Sequence, residues 1–199
     1  VVEEVEGDEL DAIAAEFSGR EILSFPPQMA FGTGGHQTTA TCLRQLVDES
    51  EARTPGEWNL LDLGCGSGIL AVAAVKLGAK SVTALENDLL ACDVAKANAD
   101  RHGVGDTVSL IEGDAISWTE TAGNEDRTFD LIAANLFSDL LVQLFPHVPG
   151  ALAPGGRVIV SGFLTTQAKA VHEAAREAGI DLYNFIRRGK WVTAVGKHS

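Results

Sequence analysis

The chain has 199 residues, 45% of them hydrophobic, and a formal charge of −13 at pH 7. Length and apolar content suffice for one domain with a sizeable core, and no run approaches the ~18 apolar residues of a membrane span. The acidity argues against nucleic acid, whose phosphates need clustered Lys and Arg; it favours solubility and is compatible with a cationic protein substrate.

In chain order, Val1 to Asp11 is acidic, and residues 1–25 are expected to be a peripheral segment ahead of one domain at 26–199. Trp58 to Leu63 is a short apolar run that reads as a buried strand. Ile69 to Leu77 then reads as a helix stopped at Gly78, and Ser81 to Leu85 as the next strand. A helix from about Leu89 to His102 follows, with Leu90, Val94 and Ala97 as its expected apolar face. Val108 to Ile111 and Phe129 to Ala134 are two further strands. A proline-interrupted helix is expected around Asp139 to Leu152, then a turn at Ala153-Pro154-Gly155-Gly156 and a fifth strand at Arg157 to Ser161. Thr165 is placed to cap a helix carrying Ala168, Val171, Ala175 and Ala178, ended by Gly179. The last two runs, Leu182 to Ile186 and Trp191 to Val195, flank Arg188-Gly189, a link short enough only for an antiparallel hairpin. Alternating strands and helices predict a doubly wound, mostly parallel seven-stranded α/β sheet with helices on both faces and an antiparallel last strand.

The strongest chemical signal is Asp62-Leu63-Gly64-Cys65-Gly66-Ser67-Gly68 between a strand and a helix. Glycines there let the backbone approach a ligand closely. A dinucleotide fingerprint would need a glycine where Ile69 stands, so a ligand without a pyrophosphate suits the turn better; a tight turn with no ligand is the plain alternative. Glu86, at the end of the second strand, can accept hydrogen bonds from ribose hydroxyls, or can simply be a capping or solvated acid beside Asn87 and Asp88. Asp114, followed by Ala115, is placed either to reach an adenine amine or to shape a turn. Cys42, Cys65 and Cys92 show no C-x-x-C pairing and no His at metal-ligand spacing, so buried reduced thiols, no metal and a cytoplasmic setting are expected.

These features, with Asn135 after the fourth strand, resemble the class I methyltransferases. Ala30-Phe31-Gly32-Thr33-Gly34-Gly35-His36-Gln37-Thr38-Thr39 more specifically resembles the signature of bacterial ribosomal protein L11 methyltransferases. The resemblance runs from Gln28 to Lys197 and takes in Ala134-Asn135-Leu136, Pro154-Gly155-Gly156 and Ser161-Gly162. It implies S-adenosylmethionine as cofactor, with Thr39, Gly64, Glu86 and Asn135 as contacts; Glu86 stands where the family usually has Asp. The expected cofactor set is Phe31, Thr33 and Thr39 in a covering loop, Asp62, Gly64, Gly66 and Gly68 in the turn, then Glu86, Asn87, Asp114, Ala115 and Asn135.

Methyl transfer from a sulfonium is a direct displacement that chiefly needs alignment and exclusion of water. Asn135 is the catalytic candidate, its amide carbonyl either orienting an amine hydrogen of a protein acceptor or touching only the methionine part of the cofactor. His36 reads as a general base or, more plainly, as loop packing. The family also carries an amino-terminal domain that presents the ribosomal substrate, for which there is no room before Gln28. The chain is therefore expected to bind cofactor unaided and to methylate L11 poorly. A small-molecule methyltransferase and a cofactor-binding regulatory domain are the competing readings.

Overall fold

A computed structural model describes residues 22–26, 35–125 and 127–199. Seven strands form one sheet in the order β3-β2-β1-β4-β5-β7-β6. They are β1 (Asn59–Leu63), β2 (Ser81–Glu86), β3 (Val108–Glu112), β4 (Phe129–Asn135), β5 (Leu152–Leu164), β6 (Ile180–Arg188) and β7 (Trp191–His198). The first five run parallel; β7 is antiparallel to both neighbours, β5 and β6. The sheet is thus the one the residue pattern predicts, with only its last strand reversed.

Successive residues of the central strands feed opposite cores, as the two-residue strand period requires. Leu61, Leu63, Ile132, Val158 and Val160 pack on one face against α4 (Ala115–Asn124), α5 (Ser138–Leu144), α6 (Val148–Ala151) and α7 (Ala168–Glu177). Leu60, Ala84, Leu131, Ala133 and Ile159 pack on the other, against α1 (Gln37–Glu51), α2 (Ile69–Lys76) and α3 (Leu89–Arg101). After β1 the chain turns to the second face, and after β4 to the first. Adjacent strands whose exits diverge open a crevice at their carboxyl ends, where open α/β sheets bind ligands.

Several local expectations are corrected. The covering loop does not reach Thr39: Gln37–Thr39 form the first turn of α1, and Phe31 and Thr33 lie outside the described residues. Helix α3 buries Ala91, Cys92, Ala95 and Ala99 rather than Leu90, Val94 and Ala97, because only small side chains allow its close approach to the turn at Gly68; Leu90 faces outward. The proline-containing stretch breaks into α5, a 3-10 turn at Phe145–His147 and α6, and Leu152 already belongs to β5. Pro146 and Pro149 lack the amide a continuous helix would use. The cap of α7 is Gln167, whose side chain accepts the Leu164 N–H at 2.8 Å, not Thr165.

Candidate functional site

The crevice holds a cavity of about 430 Å³ over the ends of β1, β2 and β4. Its walls include Thr39, Asp62, Gly64, Gly66, Glu86, Asn87, Asp114, Ala115 and Asn135, nine of the residues singled out above. Gly68 is set back from it as the N-cap of α2, packed on Ala95.

The floor is built by the glycine turn. Gly64 has φ +67°, and a Cβ there would lie 2.5 Å from Leu136 Cδ2. The missing side chain therefore makes room for the residue that follows Asn135. Gly162, at φ +93°, performs the same service from β5: its Cβ would stand 2.4 Å from the Leu136 carbonyl oxygen, which is backbone and cannot swing away. With the Leu136 N–H donating to Ser161 O at 3.0 Å, the segment after β4 is clamped between two glycines.

Glu86 is tied to this floor. Its Oε2 accepts the Gly66 N–H at 2.9 Å, and its Oε1 accepts the Asn87 and Asp88 amides at 2.9 and 3.1 Å. The carboxylate is thereby fixed at the cavity wall, with one of its roughly four acceptor sites, on Oε2, left for a hydroxyl donor. Asp114 is the N-cap of α4, its Oδ1 accepting the Ser117 N–H and hydroxyl, both at 2.8 Å. Those bonds, the backbone one first, hold its carboxyl below the usual range. So the capping role is real, and Asp114 lines the cavity as well.

Two buried polar atoms have no hydrogen-bond partner among the described residues here, Asn135 Oδ1 and Asp62 Oδ2. Asn135 donates from Nδ2 to Thr39 Oγ1 at 3.4 Å, which anchors the amide to α1 and leaves its carbonyl unspent. Burial lifts the Asp62 carboxyl to about 7; the Ala71 backbone amide pulls it down, and the Glu86 charge pushes it up further. Buried polar groups are normally satisfied, so such atoms on a cavity wall point to a missing donor or cation. Cys65, also on the wall, is a buried thiol with its ionisation pushed up by burial, and Cys42 is pushed up to about 12; neither is a nucleophile.

His36, read as base or packing, is the N-cap of α1: its Nδ1 lies 2.7 Å from Thr38 Oγ1 and its ring meets Trp191 edge-on. Residue patterns missed Leu136, Phe137, Gly162 and Trp191 as wall residues. Gly162 alone had a local signal, a glycine directly after a strand.

A sheet of this order, with a glycine turn after β1, an acid ending β2 and an asparagine ending β4 around one crevice, defines the class I methyltransferase fold. A solved SAM-dependent methyltransferase from Agrobacterium tumefaciens has the same fold, with a TM-score of 0.66 at 17% identity over 82% of this chain and 62% of that one. The chain belongs to the ribosomal protein L11 methyltransferase (PrmA) family, whose sequence model matches residues 13–199. It is 39% identical over 179 residues to the ribosomal protein L11 methyltransferase of Pelotomaculum thermopropionicum, covering 90% of this chain and 55% of that protein. For the Chromohalobacter salexigens relative the identity is 41% over 182 residues, with 90% and 56% covered. The crystal structure of a ribosomal protein L11 methylase from Lactobacillus delbrueckii subsp. bulgaricus matches with a TM-score of 0.78 and 31% identity, covering 92% of this chain and 88% of that one. The chain spans about half the length of the curated relatives it matches.

Proposed function

We propose that the chain binds S-adenosylmethionine in the crevice and transfers its methyl group to an amine, on a ribosomal protein as the relatives' name suggests. The observation that carries this reading is the pair of orphaned buried oxygens, Asp62 Oδ2 and Asn135 Oδ1, on a wall already carrying Glu86. A cationic cofactor with an ammonium group and ribose hydroxyls fits such a donor-poor wall: Asp62 offers a carboxyl, lifted to about 7 by burial, that a cation beside it would draw into its ionised form, Glu86 an acceptor for the ribose, and Gly64 the close approach. Asp114 and Ala115 would flank the adenine. Phe31 and Thr33, by resemblance, would belong to the cover. A cytoplasmic setting and a domain at 26–199 go with this reading.

When bound, the cofactor would supply a methyl group on a sulfonium: a nitrogen lone pair bonds to the methyl carbon as the carbon–sulfur bond breaks, the neutral thioether leaves, and the methylated amine gives its proton to solvent. No nucleophile of the protein is needed. Asn135 holds an amine hydrogen through its carbonyl and so aims the lone pair. The matched relatives have nearly as much sequence again outside the match, and we propose that this remainder presents the protein acceptor. Remote contacts of that kind add to rate as well as affinity, whereas cofactor binding rests on the crevice itself, so these 199 residues should bind cofactor normally. Calorimetric titration with S-adenosylhomocysteine tests the binding half. Saturable 1:1 binding is expected, and no heat of binding at millimolar ligand would contradict it.

A further inference from the structure

Phe137 is 74% exposed, the most exposed large hydrophobic side chain among the described residues, and it stands on the cavity wall. It occupies the N-cap of α5, where Ser, Asp or Asn would satisfy open backbone amides, and its side chain makes no capping bond. A loose loop does not explain the exposure. Leu136 is clamped by Gly64 and Gly162, and Phe137 O accepts the Leu140 and Leu141 amides, both at 3.1 Å. The ring is held out in water on a fixed backbone. One turn on, Leu140 is 38% exposed and lines the same wall, while exposed Asp139 lies between them. Two residues back is the unpartnered Asn135 carbonyl.

A rigid apolar lip beside a buried hydrogen-bond acceptor matches one kind of group: a chain of methylenes ending in an amine. Aromatic anchors presented on fixed backbone are the usual centres of binding energy at a recognition surface. Asp139 and the overall charge of −13 favour approach of that group as a cation, which gives its proton to solvent before its lone pair is free to attack. We propose that Phe137 is a specificity-determining residue for the acceptor, its ring packing along the methylene arm and setting how far the amine reaches toward Asn135. The proposal rests on the amine-acceptor reading above.

The test compares two small acceptors, Nα-acetyl-lysine amide and its ornithine homologue, which is one methylene shorter, using labelled S-adenosylmethionine. Wild type should prefer the longer arm in kcat/KM by about fourfold, the worth of one buried methylene. Phe137→Ala should bring that ratio to about one, and Phe137→Leu should retain part of it. Affinity for S-adenosylhomocysteine should stay within about twofold in both variants. An undiminished lysine preference in Phe137→Ala would overturn the proposal, as would a loss of cofactor affinity that tracks the loss of rate. If wild type methylates neither acceptor, the amine reading itself fails and this inference falls with it.

Discussion

Glu86 Oε2 accepts the Gly66 backbone N–H at 2.9 Å, so the acid ending β2 braces the glycine turn that follows β1. One side chain thus both shapes the floor of the cavity and faces its interior.

Glu86→Ala should weaken S-adenosylhomocysteine binding by about ten- to a hundredfold, since hydrogen bonds to a charged group contribute ~1.5–3 kcal/mol. Glu86→Asp should recover most of it. Calorimetric titration decides: an affinity unchanged in the alanine variant would remove Glu86 from the binding wall.

Asn135→Ala should lower kcat at saturating cofactor, because the carbonyl that orients the acceptor is lost. The Thr39 contact, at 3.4 Å, is long, so its loss should cost little stability. If only the apparent cofactor affinity fell and the saturated rate held, Asn135 would be a binding residue alone.

Gly162→Ala should destabilise the fold and disturb the site together, because its Cβ meets Leu136 backbone. A positive-φ position forced on a non-glycine residue costs on the order of 1–3 kcal/mol, which in a domain of this size lowers Tm by about 3–10 °C. Gly155, at φ +78° with open space around it, supplies the control. Gly155→Ala should lower Tm less and leave S-adenosylhomocysteine binding intact; equal effects at both positions would show that the Leu136 clamp is immaterial.

The strand-helix alternation, the hairpin and the glycine turn were legible because each is a local pattern: apolar runs of strand length, glycines at strand exits, a two-residue link. Helix α1 was not, because its buried face is Thr38, Thr39, Thr41, Cys42, Gln45 and Leu46, too polar to show an apolar stripe. Helix α4 went unread for a different reason. Its signal is a cap, Asp114 with Ser117, ahead of only ten residues, two of them buried. In the site, Glu86 and Asn135 were readable from their places after strands. Phe137 was not, since exposure is settled by the clamp on Leu136, which joins residues far apart in the chain.

Asp62 gives a pH signature. Burial lifts its carboxyl from 3.8 to about 7, so the folded chain holds that proton more tightly than the unfolded chain does. Its contribution to stability is therefore full below about pH 4, falls as pH rises toward 7 and is level above that. Asp62→Asn removes the dependence: it should match wild type near pH 4 and exceed it at pH 8, by roughly a few kcal/mol at most. Thermal melts of both proteins from pH 4 to 8 check this, and a stability difference constant across the range would contradict it.

The function proposed is transfer of a methyl group to an amine from a cofactor held on the Asp62–Glu86–Asn135 wall. The measurement is label from S-adenosylmethionine appearing on the side-chain nitrogen of Nα-acetyl-lysine amide, located by mass spectrometry. Incorporation should depend on the chain and fall in Asn135→Ala. Tight S-adenosylhomocysteine binding with no label on any amine would contradict it and leave a domain that holds the cofactor without using it.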